Sequence, residues 1–310
     1  MAKKITPSKS GGKVDLVVLG SIGLDDVKTP FGRVKSALGG SAIYSAVAAS
    51  CFAKPGIIGI VGNDFPSKDL KMLEERKINT SGIEKNGKTF RWEGLYEFNM
   101  NEAQTLKTEL NSMANYNPSV PEDYTKTKFL FLGNFDPGAQ EKVAKTCPGA
   151  FIVLDTMNFW IENKRRQLER TMNLADVVVL NDAEAREFCK EVNLVKAAHK
   201  ILKIGPKYVI IKKGEHGALL FSKNNHFSAP GYPLDSLKDP TGAGDSFAGA
   251  LTGYLAQANK TDEKTMRKAV IFGSVIASFC TEDFSINKVI KLNKKLIKER
   301  YAIFQEIRKF

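Results

Sequence analysis

Two stretches of this 310-residue chain bring together residue types that handle phosphate. Residues 239–256, DPTGAGDSFAGALTGYLA, place Gly242 and Gly244 immediately before a helical pattern. Glycines let the backbone approach a ligand closely. The N–H groups of Gly242, Ala243 and Gly244 then stand at a helix N-terminus with its dipole behind them, which makes an anion hole. Asp245 falls in the first turn, where the plain reading is an acid that the helix dipole favours. The other stretch, GIEKNGKT (82–89), matches the phosphate-loop pattern G-x-x-x-x-G-K-[ST] at every position. That loop works only between a strand and a helix. Here KINTS before it reads as a helix exit and FRWEGLYEF after it as a strand, so the context predicts a glycine-containing turn.

A helix start can hold an anion only if a scaffold fixes it. VDLVVLG (14–20), GIIGIVG (56–62), FLFLG (129–133), FIVLD (151–155), DVVVL (176–180) and YVIIK (208–212) are apolar runs of strand length. Helical patterns separate them, among them SAIYSAVAAS (41–50), with Ser41 as its cap, and the stretch 66–77. Strands apolar throughout are buried on both faces, which predicts an α/β fold: a doubly wound, mostly parallel sheet with helices on both sides. One region breaks the alternation. TFRWEGLYEF (89–98) alternates apolar and polar residues as a half-covered strand does, and it continues through NMNEAQTLKTEL. Residues 24–37 and 89–110 are therefore expected to form a small β lid outside the main sheet, the other reading being a long ordinary connection. The free edges of such a lid need cover, and pairing with a second lid would make a homodimer. The expected organisation is a basic tail over 1–13 and one domain over 14–310, closed by a basic amphipathic helix within 286–310.

Composition excludes several classes. With 43% hydrophobic and 26% charged residues the chain is of ordinary globular type, and no apolar run reaches membrane-spanning length. The net charge of +12 invites a polyanion reading, but residues 1–14 carry +4 and residues 286–310 carry +6, leaving +2 for the rest. A solvated tail and helix face account for it, and neither nucleic acid nor membrane is expected as a partner. The four cysteines are 96, 42 and 91 residues apart, neither zinc-like nor disulfide-like, which fits a reduced cytoplasmic chain.

The string 239–245 closely resembles the D-T-x-G-A-G-D motif of the ribokinase-like, or PfkB, carbohydrate kinases, and other residues follow the family's order. GSIGLDD (20–26) places Asp25 at the sugar-binding Asp, and LGGSAIYSA (38–46) places Gly39 and Gly40 at the substrate Gly-Gly. NDAE (181–184) matches the N-x-x-E linked to magnesium through Asn181 and Glu184, and IKKGEHGAL (211–219) matches the nucleotide-side K-x-G-x-x-G with Lys212, Gly214 and Gly217. VGNDF (61–65) fits the family's G-x-D stretch. Pro240 stands where Thr is usual, while Asp239 and Thr241 keep the positions linked to activation by a monovalent cation such as K+. Tyr44 replaces the Asn by which ribokinases proper bind a sugar hydroxyl; it offers a stacking surface or simply packs in its helix.

What the resemblance implies is transfer of the γ-phosphoryl group of ATP, with Mg2+, to a hydroxyl of a small sugar or sugar-like substrate. Asp245 would be the base, and the N–H groups of Gly242, Ala243 and Gly244 would hold the developing charge. Two alternatives stand beside a sugar kinase. A nucleoside kinase of the same fold is favoured by Tyr44 and the aromatic residues Phe90, Trp92 and Tyr96. A non-catalytic ligand sensor would be expected to have lost Asp245 or a glycine of the hole.

Overall fold

Period-two alternation along the strands sets the layering. The computed structural model describes residues 13–309 and the two-residue strand β1 (Lys3–Lys4). The main sheet has the spatial order β1, β6 (Asn79–Lys85), β5 (Pro55–Val61), β2 (Leu16–Leu19), β9 (Phe129–Leu132), β10 (Phe151–Asp155), β11 (Val177–Asn181), β12 (Tyr208–Lys212), β13 (Ala218–Phe221) and β14 (His226–Ala229). Strands β6 through β12 in that order are parallel, and β1, β13 and β14 are antiparallel additions at the edges. Val18, Phe131, Val153, Val179 and Ile210 face one layer, built from α1 (Ser41–Ala49), α2 (Ser67–Glu75), α8 (Ala243–Ala258), α9 (Glu263–Cys280) and α10 (Lys294–Ile307). Their neighbours Val17, Leu132, Leu154, Leu180 and Ile211 face the other, built from α3 (Pro137–Thr146), α4 (Asn158–Asn163), α5 (Arg165–Leu174), α6 (Asp182–Cys189) and α7 (Leu194–Leu202). Both faces are covered, as the uninterrupted apolar runs require.

After β1 at the edge, the chain enters mid-sheet at β2, builds outward through β5 and β6, then returns to the other side of β2 at β9. Open α/β sheets bind ligands outside the carboxyl ends of their strands at such a reversal. On the β9 side of that reversal, three adjacent strands end in polar residues: β10 in Asp155, β11 in Asn181 and β12 in Lys212.

A second sheet, ordered β4 (Gly32–Gly39), β3 (Gly23–Thr29), β7 (Phe90–Leu95), β8 (Gln104–Glu109), is built from two excursions of the chain, β3 and β4 after β2 and β7 and β8 after β6. Val27, Tyr96 and Met100 on its covered side pack against Phe284, in the loop after α9. The strand pattern does not run on unbroken through 89–110, because residues 96–103 form a loop.

Three local expectations need correction. Residues 79–85 form β6 rather than a helix exit, so GIEKNGKT begins inside a strand and turns at Gly87 into β7. No helix follows it to carry a phosphate on its N-terminus. Ser41 does not cap α1; Gly40 holds the cap position, and the Ser41 hydroxyl instead donates to the Asn134 carbonyl at 3.1 Å. Ile286 and Val289 precede the last helix, whose buried contacts come from Ile297 and Phe304.

Candidate active site

The site grows from the start of α8. Gly242 holds the cap position with φ of 74°, a left-handed conformation that costs a side-chain-bearing residue about 1–2 kcal/mol. A Cβ there would also overlap the Tyr44 ring. Tyr44 is only 2% exposed, and its ring forms the floor against which the glycine turn rests. The Gly242 carbonyl starts the helix by accepting from the Ser246 N–H at 2.8 Å, while the Ala243 N–H is engaged by the Pro240 carbonyl at 3.1 Å. Asp245 lies in this first turn, partly open to solvent. Burial, then the charge of Asp155, push its carboxyl up to about 7, against the pull of Lys212.

Asp25, from β3, approaches the same helix start. Its carboxylate lies directly on Gly39, where a Cβ would overlap it, and the Gly40 N–H helps hold its charge. Burial and the charges of Asp239, Asp245 and Asp26 push Asp25 up to about 8. β3 and β7 are in register with Asp25 opposite Trp92, so the two side chains share a face of the small sheet. The indole lies over Gly94, and its Nε1 donates to Thr105 Oγ1 at 3.1 Å.

The strand ends complete the other side. Lys212 Nζ is paired with Asp155 at 3.0 Å. Burial lowers the lysine, but Asp155, Glu184 and Asp245 together outweigh it and push the ammonium up, so it stays charged. Asn181 and Glu184 form a reciprocal capping box at the start of α6: the Glu184 N–H donates to Asn181 Oδ1 at 2.8 Å and the Asn181 N–H to Glu184 Oε2 at 2.7 Å. Burial pushes Glu184 up to about 7; the Lys212 charge opposes this and the Asp155 charge adds to it. Gly214 lies against the Asn101 amide, and Gly217 against the Ala229 carbonyl, so the 212–217 loop is wedged between the 96–103 loop and the end of β14.

Asp239 is buried and accepts from the Thr241 N–H at 2.9 Å and the Ser285 N–H at 3.4 Å. The Thr241 hydroxyl donates to the Tyr96 hydroxyl at 3.3 Å, tying the small sheet to the residue just before the glycine turn.

Among the described residues no group of three or more His, Cys, Asp or Glu side chains forms a ready-made metal cage. Magnesium does not need one, since it keeps several waters and shares phosphate oxygens. Three carboxylates (Asp155, Glu184 and Asp245) face a single ammonium here, and all three are pushed up, by burial first. Hard oxygen donors with an excess of negative charge fit a divalent cation.

Sequence reasoning did not single out Asp155 or the tie between Tyr96 and Thr241. The one available signal for Asp155 was an acidic residue ending an otherwise apolar strand run.

A family model described as pfkB family carbohydrate kinase matches residues 13–290. The cytidine kinase of Thermococcus kodakarensis is 29% identical over 248 residues, covering 78% of this chain and 88% of that one. Ribokinase from Giardia lamblia superposes with a TM-score of 0.80 at 16% identity, over 94% of this chain and 100% of that one. An Escherichia coli putative ribokinase II, crystallised with ATP and Mg2+, superposes with a TM-score of 0.77 at 19% identity, over 94% and 99%. Among the described residues, no helix is long and apolar enough to cross a membrane.

Proposed function

The chain belongs to the pfkB family of carbohydrate kinases and is a phosphotransferase with a hydroxyl acceptor; from that premise we propose that it moves the γ-phosphoryl group of ATP to a primary hydroxyl on the sugar part of a small acceptor. The observation that carries this reading is the α8 start: a left-handed Gly242, a first-turn Asp245 pushed up to about 7, and Asp25 within electrostatic reach. Asp25, Gly39 and Gly40 hold and orient the acceptor, with Tyr44 backing the turn. Asp245 takes the hydroxyl proton as the new O–P bond forms. The bond from the γ-phosphorus to its bridging oxygen breaks, and ADP leaves with that electron pair. The Gly242 and Gly244 N–H groups, joined by Ala243 when it leaves Pro240, hold the charge that develops on the phosphoryl oxygens. Lys212, Gly214 and Gly217 border the nucleotide. Asn181 and Glu184 would hold Mg2+, mostly through water, and when bound that ion neutralises phosphate charge. Asp239 and Thr241 are the pair beside which K+ would act. The small sheet serves as a lid that keeps competing water from the phosphoryl group. The cytoplasm suits four free cysteines and an ATP substrate.

A nucleoside acceptor is the second reading, favoured by Trp92. A flat aromatic surface on the same face as the hydroxyl-binding Asp25 offers a base somewhere to stack. The cytidine kinase relative supports it. The deciding experiment measures ATP consumption across a panel of sugars, sugar acids and nucleosides. Turnover of free sugars alone sinks the nucleoside reading, and no turnover with any member by correctly folded protein sinks both.

A further inference from the structure

The ion pair between Lys212 and Asp155 is nearly closed to solvent, with side chains 17% and 4% exposed. A buried pair gains little over apolar residues of the same size, so its presence at this point calls for a reason other than stability. Its placement supplies one. Asp155 closes β10 and Lys212 closes β12, so the pair spans the end of β11. The Lys212 ammonium lies 3.0 Å from where a Cβ on Gly244 would stand, at the mouth of the anion hole. Asp155 is fixed in turn. Its Oδ1 accepts from the Thr156 N–H at 3.0 Å, and its carbonyl accepts from Gln140 Nε2 at 3.1 Å, the same amide nitrogen that reaches the Gly133 carbonyl at 2.7 Å. A lysine ammonium has three N–H groups. The two Asp155 oxygens, at 3.0 and 3.3 Å, lie to one side of it and leave donors for a ligand at the hole.

We propose that Lys212 is a catalytic residue that grips the transferring phosphoryl group at the anion hole, and that Asp155 is a positioning residue that aims the ammonium there. This rests on the reading of residues 242–244 as the anion hole. Lys212 takes no proton in the step; its charge offsets the negative charge carried on the phosphoryl oxygens while the proton goes to Asp245.

The test compares the full-length wild type with Lys212→Met, Asp155→Asn and the double variant, taking Asp245→Asn as a control for catalysis at the α8 start. Lys212→Met should lower kcat by about 10²–10³-fold, the usual worth of one group aimed at developing charge. It should weaken ATP binding more than ADP binding, because only ATP carries the transferred group. Asp155→Asn should lower kcat about tenfold or more while the acceptor KM stays within about twofold, and the double variant should be no slower than Lys212→Met alone. Losses that multiply in the double variant overturn the positioning role, since Asp155 would then act independently of the lysine. Lys212→Met within about threefold of wild-type kcat, while Asp245→Asn is inactive, overturns the proposal and leaves the α8 start standing as the reacting centre. Normal activity in all four variants removes the α8 start as the reacting centre and the proposal with it. If Asp155→Asn does not fold, Lys212→Met decides alone: equal loss of ATP and ADP affinity overturns the assignment.

Discussion

Replacing Asp245 with Asn should move catalysis and stability in opposite directions. Asn keeps the size of Asp and tolerates a helix start, but it cannot take the acceptor's proton. The expected loss in kcat is about 10²–10⁴-fold, with the KM for ATP nearly unchanged because the backbone N–H groups are untouched. Stability follows from the carboxyl's rise from 3.8 to about 7. Between those two values the folded chain keeps a proton that the unfolded chain has already released. The wild type therefore loses stability as pH climbs through that window and carries the full penalty above it. At 1.36 kcal/mol per tenfold in ionisation, the ceiling is about 4 kcal/mol. Asn is neutral at every pH and escapes the penalty. Its advantage over the wild type should be near zero at about pH 3, about 2 kcal/mol at about pH 5, and close to the ceiling at about pH 8. Thermal melts of both proteins without nucleotide at these pH values, run beside an ADP-release assay, read both effects. Near-normal kcat in the variant would remove Asp245 as the base, and a stability difference that stays flat with pH would remove the buried, charge-crowded carboxylate.

Asp25→Asn should raise the acceptor KM by about 10–100-fold, the worth of a hydrogen bond to a charged group, and leave the KM for ATP alone; equal effects on both substrates would place Asp25 outside the acceptor site. Lys88→Ala should change ATP affinity by less than about threefold, because the GIEKNGKT turn joins two strands; a hundredfold loss in titration calorimetry with the fold intact would make it a phosphate loop after all. The small sheet ends in an edge strand, Gln104–Glu109, that is almost wholly exposed, Leu106 included, and Phe98 and Leu110 are exposed beside it. Pairing of two such sheets should give a homodimer in light scattering, and a monomer at high micromolar concentration refutes it.

Local sequence determined what depends on near neighbours. The uninterrupted apolar runs announced strands covered on both sides, because a half-exposed strand would have alternated. Gly242 and Gly244 ahead of a helical pattern announced the α8 start, because few other residues let a chain turn that tightly into a helix. The same local evidence misplaced a cap at Ser41 and a helix exit at residues 79–81, since propensity gives way to the partners a segment meets. Nothing within FIVLD says what Asp155 faces. Its partner Lys212 is 57 residues away and meets it only because β10, β11 and β12 are laid side by side. Tyr96 and Thr241 are 145 residues apart and join only when the small sheet folds over the α8 turn. Tyr44 read equally well as a ligand surface or as packing until the turn at Gly242 came to rest on its ring. The upward pull on Asp25, Asp245 and Glu184 belongs to tertiary structure for the same reason. Isolated carboxyls titrate normally, and only the assembled sheet edge takes them out of water and brings like charges together.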